Sequence, residues 1–163
     1  MRSIFNLLRR LTHDTSGAAL LEATLSVPLA ISLMAGGADF GMALATQGSG
    51  SKSVRAAARY LATVPSTAVC TWGIVNARNL AVYGKLNPVG GVDQPLVAGW
   101  NASDRSTDAN SFVGLGPGTN CANPTIIHLE AKFPYESIML SAVLPGVATM
   151  TLSASHQERQ IGQ

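Results

Sequence analysis

Hydrophobic positions recur along this chain in three rhythms, each of which predicts a different element. The first is unbroken: from 18 to 38 there are 21 residues whose only ionisable side chain is Glu22. About 20 apolar residues in a helix cross the hydrocarbon layer of a membrane, so this run predicts a transmembrane helix. It exceeds the apolar region of a secretory signal peptide, which usually holds roughly 7 to 15 residues. Pro28 lies inside it and predicts a kink, because proline removes one backbone hydrogen bond. Gly48, Ser49 and Gly50 predict that the helix softens or breaks there, since glycine costs about 1 kcal/mol relative to alanine in a helix interior.

The second rhythm is helical and amphipathic. Val54, Ala58 and Leu61 fall on one face while Lys52, Arg55 and Arg59 occupy another, which predicts a helix that lays an apolar stripe on a small sheet. Residues 71–83 show a weaker helical period that stops at Gly84. From 84 to 124 the chain has seven Gly and four Pro among 41 residues, which predicts loop with one short strand over 94–100. The third rhythm alternates. Ile127, Leu129, Ala131 and Phe133 interleave with His128, Glu130 and Lys132, and 147–156 alternates likewise, so both predict half-buried strands. The apolar stretch 137–146 between them is too short to span a bilayer and either covers the core or offers a contact surface.

The fold class expected from these rhythms is α+β: a long N-terminal transmembrane helix followed by a small extracytoplasmic antiparallel sheet domain. The expected boundaries are a cytoplasmic basic leader over 1–17, the transmembrane helix over 18–44 and the extracytoplasmic domain over 45–163. Charge supplies the orientation. Residues 1–17 carry Arg2, Arg9 and Arg10 against Asp14, which accounts for the whole net charge of +2. Basic residues ahead of a span keep that end cytoplasmic. No basic patch with interleaved aromatics follows, so nucleic acid is not an expected partner.

With the C-terminal part outside, Cys70 and Cys121 lie in an oxidising compartment and are expected to pair, two unpaired buried thiols being the alternative. The small residues Gly37, Gly41 and Ala45 recur every fourth position, which aligns them as a ridge on which another helix can pack closely. Asp39, just past the span, is expected in the outer headgroup region without a role of its own. No Walker loop, GxSxG or HExxH motif occurs. His128, Glu130 and Glu136 could be drawn as an acid–base group, but alternation sets His128 and Glu130 on the exposed side of a strand. The chain is therefore expected not to be an enzyme, and to hold no catalytic residue, cofactor or metal.

A single carboxylate within an apolar run requires an explanation, because burying it in hydrocarbon costs roughly 2.5 to 3.5 kcal/mol on insertion scales. From spacing alone, Glu22 either snorkels to the cytoplasmic interface of an uncleaved anchor or serves a more specific purpose. The order of basic leader, Gly17, apolar helix and a glutamate five residues on, counting from Ala18, resembles the class III signal sequence of type IV prepilins. The stretch SGAALLEATLSVPLAISLMAGGADFG, with RAAARYLAT, ARNLAVYG, FPYE and LSASHQER further on, resembles the TadE-like family of pseudopilins, minor pilins of tight-adherence (Flp) pili. The likeness departs at Ala23, where many members carry Phe.

The resemblance implies a minor pilin or pseudopilin that takes part in assembling such a pilus. It implies processing by a prepilin peptidase between Gly17 and Ala18, and recognition and assembly through Glu22, whose carboxylate would pair with the freed amine of Ala18. The implied partners are the peptidase, other pilins with their assembly machinery, and inner-membrane lipid. The implied location is the bacterial inner membrane, as a single-pass protein with its C-terminal domain periplasmic or extracellular. An uncleaved anchor subunit of a secretion or pilus assembly complex is the alternative.

Overall fold

The computed structural model describes residues 15–139, 141 and 149–162. Its elements run helix α1 (Thr15–Thr63), a 3-10 turn (Ser66–Ala68), a π turn (Val69–Gly73), helix α2 (Ile74–Tyr83), and strands β1 (Phe112–Leu115), β2 (Ile126–Glu136) and β3 (Thr149–Arg159). The strands form one antiparallel sheet in the order β1-β2-β3. This is the α+β arrangement the three rhythms predict. Residues 1–14 of the expected leader, and most of the apolar stretch 137–146, lie outside the described residues.

α1 is a single helix of 49 residues, unbroken at Pro28 and at 48–50. The expected break at the glycines is therefore corrected, and packing supplies the reason. A Cβ built on Gly50 would lie 2.2 Å from Cζ of Phe133, so the helix keeps glycine there to admit that ring against its backbone. One turn further on the expected stripe is fully used: Val54, Ala58 and Leu61 are each 0% exposed, with Ala57 beside them. Small residues between the larger ones let the sheet approach the helix closely. The expected boundary at 44/45 falls within α1, so no linker separates the apolar segment from the domain.

The core is formed where α1, α2 and β2 meet. Ile127, Leu129, Ala131 and Phe133 all point inward, as the alternation predicts. The ring of Phe133 lies against Trp100, with centroids 4.8 Å apart. Pro134 is placed beyond the stretch of β2 that β1 covers, where among the described residues only β3 pairs with the strand and a missing N–H is tolerated. α2 ends as expected: Gly84 adopts φ 69° and its N–H donates to the Leu80 carbonyl.

No strand forms over 94–100. Gly99, at φ 73°, turns the chain, and the Trp100 amide donates back to the Val97 carbonyl, so Val97 and Trp100 enter the core from a turn. The short strand is instead Phe112–Leu115. Arg78 of α2 holds it, donating from Nε to the Val113 carbonyl at 2.8 Å and from Nη2 to Asp104 at 2.7 Å. Burial pushes the Asp104 carboxyl up, but Arg78 and two backbone amides outweigh it and leave the group below its ordinary range.

The last residues close the fold. The final four carbonyls of any helix lack helical partners. At the end of α1 the Ala62 carbonyl accepts from both Ile161 and Gly162, and the Gln160 side chain donates to the Val64 carbonyl. Glu158 on β3 meets Arg59 of α1 and His156, whose hydrogen bond is the main reason its carboxyl lies below the usual range.

Candidate functional site

Two parts of α1 carry the residues singled out by sequence. The first is its N-terminal half. Every residue from 19 to 31 is exposed, Glu22 among them, and Gly17 and Ala18 lie in the first turns of the same helix. Gly17, Ala18 and Glu22 are thus brought together by one rigid element rather than by a folded pocket. The helix is long and apolar enough to cross a membrane, with no part of its apolar window buried in the chain. Gly37, Gly41 and Ala45 are exposed too, and nothing lies within 4 Å of where a Cβ on Gly37 or Gly41 would sit. Ala45 borders a groove shared with Leu96 and Ile138, so only the two glycines of the ridge stand clear of the domain.

The second part is a clasp that the sequence reading missed. Asp39, expected in the headgroup region without a role, is only 4% exposed. Its carboxylate accepts from Ser137 Oγ at 2.6 Å and from the amides of Ile138 and Met139 at 3.2 Å each. Tyr135 Oη donates to its main-chain carbonyl at 2.9 Å. Burial first, and the Asp39 carboxylate second, raise the Tyr135 phenol above its ordinary value of 10.0. The end of β2 is therefore fastened to α1 through one aspartate placed directly after the apolar run. The only sequence signal was a lone acid after a span followed, 98 residues later, by a serine at the end of a strand. Neither indicates the other until the strand has been placed.

Asp39→Ala leaves two backbone amides and a hydroxyl without their acceptor. Unmade hydrogen bonds of buried groups cost roughly 1 to 3 kcal/mol each, and the two amides are only partly buried, so the expected loss is about 2 to 3 kcal/mol. It should appear as faster hydrogen exchange at 138 and 139 in detergent-solubilised full-length protein, with the core of β2 less affected. Asp39→Asn, which keeps one acceptor, should fall between.

Cys70 and Cys121 form the expected disulfide, with Cα atoms 5.7 Å apart. It joins the π turn ahead of α2 to the loop before β2. The side of β2 expected to be exposed is instead partly roofed by β1 and the turns that flank it. Arg105 pairs with Glu130 and lies over the Phe112 ring, and His128 Nδ1 is 3.0 Å from the Pro117 carbonyl. His128 Nε2 lies 3.7 Å from Glu130. Glu136, at the exposed end of the strand, is not brought to them. Among the described residues, no group of three or more His, Cys, Asp or Glu side chains could hold a metal ion.

No protein-family model, curated protein or solved structure matches this chain.

Proposed function

We propose that this protein is a minor pilin or pseudopilin of a tight-adherence (Flp) pilus, inserted in the inner membrane with its N-terminus cytoplasmic and processed by a prepilin peptidase between Gly17 and Ala18. The observation that supports this best is the division of labour along α1. The sheet grips residues 54–62, whereas the apolar half bearing Glu22 is exposed on all sides. A rigid stalk of this form can pack among like helices while the domain stays outside.

In such a bundle the Glu22 carboxylate is acceptable only beside a cation, and the new Ala18 amine is one. The ridge of Gly37, Gly41 and Ala45 gives a neighbouring helix a close approach. Work of this kind needs no turnover of a substrate.

The test is the mass and N-terminal sequence of the membrane-extracted protein from cells with and without a prepilin peptidase. A terminus at Ala18 that depends on the peptidase is expected, and an intact Met1 leader in both would leave the anchor reading instead. Glu22→Gln is expected to leave thermal unfolding of the domain unchanged while sharply reducing recovery of the protein with sheared pili. Equal recovery of variant and parent would remove Glu22 from assembly.

A further inference from the structure

We propose that the turn formed by Ser137, Ile138 and Met139 is a membrane-seating element, whose Ile138 and Met139 side chains enter the outer leaflet beside α1 and fix the domain against the bilayer. The inference goes beyond pilus assembly, and it rests on the part of that reading in which α1 spans the membrane.

Depth comes first. At 1.5 Å per residue the 21 residues from 18 to 38 cover about 30 Å, the thickness of the hydrocarbon layer, which sets Asp39 at its outer boundary. The amides of Ile138 and Met139 bond to the Asp39 carboxylate, so the turn is held at that same level. It cannot ride higher without losing those bonds.

Exposure is the second observation. Ile138 is 68% and Met139 47% exposed, and Phe40, the residue of α1 next to Asp39, is also exposed. Leu96, also exposed, lines the same groove as Ile138, together with Met42, Thr46, Tyr135 and Glu136. Through Asp39 these side chains are held beside the outer end of the apolar run, and hydrocarbon is the medium that run selects. In water a patch of this kind would be unfavourable.

Backbone chemistry is the third. A turn at the edge of hydrocarbon must have its amides satisfied internally, because little water is present to accept them. Here two consecutive amides and the Ser137 hydroxyl all end on one buried carboxylate. That accounts for an aspartate placed directly after an apolar run: it equips the turn for its depth.

The experiment uses the full-length chain in phosphatidylcholine–phosphatidylglycerol vesicles. Because the native cysteines are paired, Ile138→Cys, Met139→Cys, Leu29→Cys and Arg55→Cys each take a nitroxide label at one site. All four positions are exposed, so the label displaces no core side chain. Collision with oxygen is compared with collision with a water-soluble nickel chelate. The expected result is an oxygen-to-nickel ratio at 138 and 139 several-fold above that at 55 and approaching that at 29. A ratio at 138 and 139 equal to that at 55, with 29 still oxygen-rich, overturns the seating element while leaving the span. Nickel access at 29 as well overturns both. Exclusion of both reagents from 138 and 139 shows that another protein covers the turn, and overturns it equally.

Discussion

Replacing Cys70 and Cys121 together by alanine is expected to remove about 4 kcal/mol from the stability of the domain. The bond closes a sequence separation of 51 residues, and cross-linking ends that far apart removes much of the freedom the unfolded chain would regain. The enclosed segment has reason to depend on it. Between α2 and β2 the only regular element is the four-residue β1, and the rest is turns. Arg78 with Asp104, and Lys85 with Asp93, hold it at single points, and in each pair one partner, Asp104 or Lys85, is well exposed to solvent, so the pairs add little. Urea unfolding of the full-length protein, oxidised against the double variant, reads the difference. A loss below about 1 kcal/mol would mean that Trp100 and Val97 anchor the loop unaided.

Gly50→Leu is expected to lower stability by about 3 kcal/mol, at the upper end of what overpacking a core usually costs. The Cβ alone would meet Phe133 Cζ at 2.2 Å and Cε1 at 2.5 Å. A ring tip can swing aside when it has room, but Phe133 is 0% exposed and backed by Trp100, so the strand must lift away from the helix. Gly48 is the matched control. Nothing lies within 4 Å of its built Cβ and it sits in the same helix, so Gly48→Ala should stabilise by up to about 1 kcal/mol through helix propensity alone. Opposite signs two residues apart, measured by chemical denaturation, would show that contact with the sheet and not helix formation accounts for Gly50. Destabilisation at both sites would count against that account.

The same pair shows where a sequence stops being informative. Glycines at 48 and 50 read as a helix break because propensity is a local quantity. Tertiary burial of Phe133 overrode it, and the helix runs through. The loop over 84–124 gave a similar lesson. One short strand is expected over 94–100, but Gly99 turns the chain and Val97 and Trp100 enter the core from that turn, while the strand forms at Phe112–Leu115.

What the sequence determined by itself is what depends on near neighbours: the apolar run, the stripe of Val54, Ala58 and Leu61, the end of α2 at Gly84, and the alternation of β2. Each is a run, a period or a stop signal carried within one continuous stretch of at most 21 residues, and each appears in the fold. The remaining features depend on residues far apart in the chain. Asp39 meets Ser137 across 98 positions, Ala62 receives the amides of Ile161 and Gly162, and Gly50 is explained by Phe133. A buried carboxylate, an orphan carbonyl and a missing side chain are each completed by a distant partner, and the partner is identified only once strand register and helix face have been set.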